Sequence, residues 1–536
     1  MIRDPIRAGI AAGWKATDAS TLERDLALEA DVAIVGTGAG GGVTAEILAQ
    51  AGLDVVLVEE GPLKSSSDFR MVEAEAYPQL YQESAARKTL DKAITILQGR
   101  SVGGSTTVNW TSSFRTPPAT LAHWRERWGL REFTPEALAP WFERMERRLA
   151  VATWTVAPNE NNALLRRGAD RLGIATAAIR RNVKDCWNLG YCGMGCPTNA
   201  KQSMLVTCIP AALARGARLV YRARAGRLAL RGGRADALVC QALDARGVQT
   251  TGRRVTVRAR HYVVAAGGIG SPALLLRSGA PDPHRALGAR TFLHPTVAVA
   301  ALMPEPVGAY AGAPQTVYSD HFLEGAAADG PIGFKLEAAP LHPLLLGMTL
   351  QGFGPQHAAL MEAFPHAHAL IALLRDGFHP DSPGGNVGLR DDGSPVLAYP
   401  LTPYLWAGVR RAYRAMAEIQ FAAGARAVLP LHERAAPYPS WPAAQAAIDA
   451  LPLAPLLARV MSAHVMGGCA MADRPERGVV DPLGRHFQLD NVSVHDGSVF
   501  PTSLGANPQL SIYALAARSA VALAAALAGK PAVGGT

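Results

Sequence analysis

Residues 31–61 read DVAIVGTGAGGGVTAEILAQAGLDVVLVEEG. The first six form a short apolar run rich in β-branched residues, the pattern of a buried parallel strand. Gly36-Thr37-Gly38-Ala39-Gly40-Gly41 follows and fits G-x-G-x-x-G. Over 43–52, Val43, Ile47 and Leu48 share one helical face, and Gly52 is a candidate C-cap. A second strand over 54–61 carries Glu59 near its end, 23 positions beyond Gly36. Strand, glycine turn, helix, strand and acid, within about 30 residues, make a dinucleotide-binding unit. Gly36 is expected to make the tight turn, Gly38 to let the backbone approach a pyrophosphate, and Gly41 to let the helix pack on the strand. The helix N-terminus offers free N–H groups to phosphate, and Glu59 can accept a ribose hydroxyl proton. The unit alone does not decide between NAD and FAD.

The chain has 536 residues, about three domains' worth at roughly 100–200 residues each. Hydrophobic residues make up 49% and charged residues 18%, which excludes disorder over most of the length. Six Cys are too few for a disulfide framework. The net charge of +9 is mostly Arg, spread without any block of five basic residues. It reads as solvated surface and not as a nucleic-acid patch. No segment reaches the ~18 uncharged apolar residues of a membrane span. The first twenty residues lack an apolar h-region, which argues against a secretory signal and for a cytoplasmic protein, at most peripheral at the inner membrane face.

Three more glycine-rich stretches lie downstream. Residues 99–109 read GRSVGGSTTVN. Residues 259–279 hold a strand, Tyr262–Ala265, then a glycine-rich turn, Ser271-Pro272 and a helix start. Residues 490–515 hold a strand ending in Asp496-Gly497, a loop and a helix. Distant glycine-rich loops suit one large cofactor covered by several parts of the chain.

With these pieces in order, the chain resembles the glucose–methanol–choline (GMC) flavoprotein oxidoreductases from about residue 28 to 528. The resemblance rests on VGTGAGG with VLVEEGP, GRSVGGSTTVN, GGIGSPALLLRSG, Leu293-His294-Pro295, SAHVMGGCAM (462–471) and DGSVFPTSLGANPQLSIYALAAR (496–518). One departure is Gly268, where the family signature usually has Ala, Ser, Thr or Pro. The resemblance implies FAD as cofactor. It implies an α/β fold with a Rossmann-like FAD-binding domain and a substrate domain on an antiparallel sheet. The FAD-binding domain is expected over 28–115, 205–300 and 455–536, and the substrate domain over 116–204 and 301–454. Residues 1–27 form an N-terminal arm. Besides Gly36, Gly38, Gly41 and Glu59, the implied cofactor contacts are Gly103, Gly104, Ser105, Asn109, Ala225, Gly267, Asp496 and Gly497.

Oxidising an alcohol by hydride transfer needs a group to take the hydroxyl proton, and His suits neutral pH. By resemblance, His464 is the base and Asn507 the second active-site residue, hydrogen-bonding the substrate oxygen. The other histidines, His294 among them, read as structural.

Residues 186–196, CWNLGYCGMGC, place Cys186, Cys192 and Cys196 before Pro197, with Cys208 eleven residues on. The spacing resembles the iron–sulfur loop of FAD-dependent glucose dehydrogenase subunits. The CGxGCPxxxK pattern equally resembles long-chain alcohol oxidases and related bacterial alcohol dehydrogenases, where no cluster is needed. Because the C-terminal segment resembles this second group more, redox-inert thiols are expected and no metal. Residues 340–354 and 358–374 are apolar on more than one face, as core helices or as a lipophilic tunnel, lid or shallow membrane contact.

The expected function is therefore FAD-dependent oxidation of an apolar, primary alcohol to the aldehyde, with oxygen, a quinone or a redox protein as acceptor. The alternatives are an FAD/iron–sulfur subunit of a sugar or polyol dehydrogenase feeding a cytochrome, and a non-catalytic flavin-binding electron-transfer or scaffold subunit.

Overall fold

The strand Leu26–Val35 lies in the middle of an eight-stranded sheet. The computed structural model describes residues 2, 4–324 and 330–529. Val55–Glu59 pairs parallel on one side, with Val32 opposite Val55 and Val35 opposite Val58. Thr250–Val264 pairs parallel on the other, with His261 opposite Val32 and Val264 opposite Val35. Val32–Val35 and Val55–Val58 are buried throughout, as strands covered on both faces must be. The first half of Thr250–Val264 pairs antiparallel with Arg234–Leu243, and its last residues pair parallel with Val492–Val494. That C-terminal pairing brings Asp496 to the glycine turn. The expected N-terminal arm contributes the strand Ala16–Asp18, which joins the sheet beside Arg218–Tyr221.

The helix after the glycine turn runs Ala39–Gln50, so it begins inside the glycine run and not at Val43. A Cβ on Gly40 would lie 1.4 Å from the carbonyl oxygen of His495, so only glycine lets the first turn form there. The final helix, Gln509–Leu527, packs across Ala39–Gln50. It is long and apolar enough to cross a membrane by length and composition, yet 61% of that window is buried against the protein. Its apolar face makes it a core helix.

The second large sheet also has eight strands, built around Thr296–Leu302, Ala367–Leu374 and Phe334–Ala338, which pair antiparallel. Ile94–Ile96 and Val460–Ser462, both from segments expected in the FAD-binding domain, pair with each other at its edge. Residues 358–374 do not form one core helix. They divide into the end of the helix Gly354–Glu362, a turn at Pro365, and the strand Ala367–Leu374, all eight residues of which are buried. A continuous eight-residue apolar run after a proline is the signature of a central strand, and periodicity alone does not separate it from a buried helix.

Candidate active site

A cleft of about 890 Å³ opens between the two sheets. Its wall on the first sheet carries the glycine turn. Gly36 has φ +92°, and a Cβ there would meet the Ala265 carbonyl oxygen at 2.3 Å. A Cβ on Gly41 would lie 2.0 Å from the Gly36 oxygen, so Gly41 does let the helix close on the strand. A Cβ on Gly104 would approach the Gly38 Cα to 2.7 Å, and the Gly103 N–H donates to Thr37 Oγ1 at 3.0 Å. The two glycine-rich loops thus meet backbone against backbone at Gly38 and Gly104, and the Thr37 hydroxyl ties them at Gly103. Gly36, Gly38 and Gly104 line the cleft, while Gly41 and Gly103 support it from behind.

Glu59 is buried on the same wall. Its carboxylate accepts from the Thr37 N–H at 3.0 Å, the Thr37 hydroxyl at 2.6 Å and the Gly61 N–H at 2.9 Å. Burial still pushes its carboxyl above the usual range, against those bonds. Asp496 ties the loops at the far side together. It accepts from the Gly267 N–H at 2.8 Å, Ser271 Oγ at 2.5 Å and the Ser498 N–H at 2.8 Å. Ser105, Asn109, Ala225, Gly267, Asp496 and Gly497 all line the cleft. Ser105 accepts the Gly99 N–H, and Asn109 donates to Gln509 Oε1 at 2.7 Å. A side-chain-free cradle at a helix N-terminus, with a buried acid at the next strand end, fits the pyrophosphate and ribose of FAD. Gly268 follows the same logic: a Cβ there would lie 2.8 Å from the Val465 carbonyl oxygen, beside His464.

His464 and Asn507 also line this cleft. His464 is half-buried on the loop after Val460–Ser462, and burial lowers its pKa to about 4, so the ring is neutral at pH 7. Its Nδ1 lies 3.2 Å from Nδ1 of His294. His294 Nε2 accepts the Gly505 N–H at 2.9 Å, so the His294 proton resides on Nδ1 and is donated to His464. Neutral His464 then carries its own proton on Nε2. His294 has φ +45°, and its N–H and that of Leu293 donate to the buried Asp376. Sequence reasoning gave His294 a structural role; the Leu-His-Pro motif was its one signal.

Asn507 is buried, and its Nδ2 donates to Glu337 Oε2 at 3.3 Å. Glu337, from Phe334–Ala338 in the second sheet, is wholly buried, and Gln315 Nε2 donates to the same oxygen at 2.6 Å. Burial raises its pKa from 4.5 to about 7, against the lowering influence of Lys335. Neither Glu337 nor Gln315 carried a sequence signal.

The cysteine loop stands apart. Cys186, Cys192 and Cys196 are free thiols, partly exposed, and none lines the cleft. Among the described residues no group of three or more His, Cys, Asp or Glu side chains is gathered as a metal site. The loop is held by Lys201, whose buried ammonium donates to the carbonyls of Thr107, Asn109 and Cys192 at 2.7–2.8 Å. Tyr81 adds a bond to the Gly193 carbonyl at 2.7 Å. Trp187 of this loop is 63% exposed.

GMC oxidoreductase family models match residues 77–296 and 380–516. An uncharacterised GMC-type oxidoreductase of Sinorhizobium fredii is 31% identical over 94% of this chain and 96% of its own length. A long-chain-alcohol oxidase of Arabidopsis thaliana is 27% identical over 91% of this chain and 68% of its own. Among solved structures, formate oxidase of Aspergillus oryzae RIB40 superposes with a TM-score of 0.66 at 16% identity, covering 93% of this chain and 98% of its own. Pyridoxine 4-oxidase from Mesorbium loti gives 0.65 at 19% identity, covering 91% and 98%.

Proposed function

Because this chain belongs to the GMC oxidoreductase family, we propose that it oxidises the CH–OH group of an apolar primary alcohol to the aldehyde. The cofactor is FAD, and the glycine cradle with Glu59 is where the protein holds it. Bound FAD supplies the hydride acceptor.

One observation carries the reading. The cleft that holds the cradle also holds His464, Asn507 and an apolar wall that includes Ala298, Ala369, Ile371 and Leu373 of the second sheet. Leu345 and Leu346 of the helix Pro343–Thr349 continue that wall, while Leu344 and Met348 of the same helix reach solvent. An alkyl chain would enter past this helix with its hydroxyl toward His464.

His464 manages the hydroxyl. At rest its Nε2–H donates to the substrate oxygen and stabilises negative charge growing there. To take the proton as base it must adopt the other tautomer, with its own proton on Nδ1 and His294 turned from Gly505. Asn507 keeps its second amide hydrogen for the same oxygen. The relatives named as oxidases support oxygen as the electron acceptor.

The test is an anaerobic visible spectrum of the purified holoprotein before and after a panel of alcohols, then after oxygen or a quinone is admitted. The flavin bands should bleach with long primary alcohols and return with the acceptor. An oxidised spectrum unmoved by any alcohol sinks the reading. His464→Ala should slow bleaching by about 10²–10⁴-fold, the usual worth of general acid–base catalysis, with FAD content unchanged.

A further inference from the structure

The second sheet places in the cleft a carboxylate that the reaction described above does not use. Glu337 is 0% exposed and lines the cleft. Its Oε2 is fully engaged by Gln315 Nε2 and Asn507 Nδ2. Gln315 keeps its Nε2 on the carboxylate, because an ionised carboxylate oxygen can only accept, and its Oε1 accepts from Ser112 Oγ at 2.8 Å. Glu337 Oε1 has no partner among the described residues, and neither has Oδ1 of Asn507. The Glu337–Asn507 hydrogen bond is therefore flanked by two bare acceptors, buried, on the wall of the substrate cleft. A buried polar atom without a partner is costly, so the arrangement demands donors from whatever fills the cleft.

We propose that Glu337 and Asn507 form an acceptor subsite for a second hydroxyl of the substrate, on the carbon next to the one oxidised. The inference rests on the alcohol-oxidation reading and narrows it: the preferred substrate is an apolar chain ending in a vicinal diol. A hydroxyl suits the subsite better than an ammonium group. Lys335 stands two residues before Glu337, on the same face of the strand, and its positive charge already acts on the carboxylate. Lys335 itself is neutralised by Asp320 at 2.6 Å and covered by the rings of Phe114 and Tyr318. An ammonium group would also have to be desolvated in a cleft whose wall here is apolar, whereas a hydroxyl supplies the missing donor at less cost.

Glu337→Gln is the discriminating variant. The Oε2 position must remain an acceptor, because Gln315 and Asn507 both donate to it. The new amide nitrogen is thereby forced to the Oε1 side and turns a bare acceptor into a donor. The experiment compares anaerobic flavin reduction by a 1-alkanol, the 1,2-diol of equal length and that diol's 2-O-methyl ether, which keeps the oxygen but has no donor. At about pH 9, where Glu337 is ionised, wild type should favour the diol over both by about tenfold to a hundredfold in kcat/KM, the scale of a charge-assisted hydrogen bond to a buried group. Glu337→Gln, with FAD content equal to wild type, should lose most of the diol-to-ether preference. A wild-type diol preference that is absent, or that Glu337→Gln leaves unchanged, overturns the subsite alone. If no alcohol bleaches the flavin, the alcohol-oxidation reading falls and the subsite with it.

Discussion

Nδ1 of His294 and Nδ1 of His464 are 3.2 Å apart, and only one of them can supply the proton between them. The Gly505 N–H decides which, because it fills the lone pair of His294 Nε2. His294 is thus a positioning residue that holds the His464 ring from behind, as donor at rest and as acceptor when His464 takes the substrate proton. His294→Ala should lower flavin reduction by about tenfold to a hundredfold, as loss of an orienting outer partner does, with FAD content unchanged. His294→Asn should recover most of the rate, because its amide can take the Nδ1 position and Asn tolerates φ +45°. Equal rates for the Ala and Asn variants would reduce His294 to packing.

The same site carries two separated titrations. Burial lowers His464 to about 4 and raises Glu337 to about 7. His464 therefore stays neutral from pH 5 upward, and flavin reduction should show no loss centred on the ordinary histidine value of 6.5. Any limb near pH 7 should belong to Glu337 and vanish in Glu337→Gln. A limb near 6.5 that survives this variant would place His464 in a far more solvated setting.

Glu337 also couples folding to pH. Its folded pKa lies above its unfolded one, so the stability it contributes is present below about pH 4.5 and lost as pH rises through about 7. Lys335 and Asp320 are the charged groups that act on it. The Tm of Glu337→Gln relative to wild type should therefore rise between pH 5 and 8, measured on holoprotein by thermal unfolding. A difference independent of pH would mean that Glu337 does not change protonation there.

The glycine-turn wall of the cleft was legible because its packing is local. Gly36, Gly38, Gly41 and Glu59 do their work within one strand–turn–helix–strand unit, so spacing alone carries the geometry. The cleft's other wall is assembled from positions far apart in the chain. Glu337 reads, with Lys335, as the polar face of the alternating strand FKLEA, and only the pairing of Phe334–Ala338 into the second sheet sets it against Asn507, 170 residues away. His294 was visible in a motif, but its partner could not be seen without the fold. The strand Ala367–Leu374 was misread because a fully buried strand has no alternation to announce it.

Lys201 makes a prediction about the cysteine loop. Burial lowers its pKa to about 8, yet its ammonium holds three carbonyls, two of them in the glycine-rich segment 99–109. Lys201→Met removes those bonds and leaves the carbonyls of Thr107 and Asn109 without this donor. It should weaken FAD retention, seen as faster flavin loss on gel filtration, and lower the Tm of the holoprotein. Replacing Cys186, whose sulfur accepts the Asn188 N–H, by Ser should affect neither. Retention unchanged in Lys201→Met would show that the loop and the flavin segment are held together by other contacts.

Gly268 tests how closely the cleft is built around His464. The family signature usually has a small side chain here, yet a Cβ would stand 2.8 Å from both Cγ1 and the carbonyl oxygen of Val465. The side-chain contact can yield by rotation; the backbone oxygen cannot without moving Val465, the residue that follows His464. Gly268 is helical, in the first turn of Gly267–Arg277, with no positive φ, so alanine meets no backbone strain of its own. Gly268→Ala should therefore fold and bind FAD, and the displacement should fall on the His464 loop. Flavin reduction should drop by about tenfold or more, as small misplacements of a reacting group do. Doubling the substitution with His464→Ala should add little further loss, since both act on one side chain. A Gly268→Ala enzyme that reduces flavin at the wild-type rate would show that the loop absorbs the shift without moving His464.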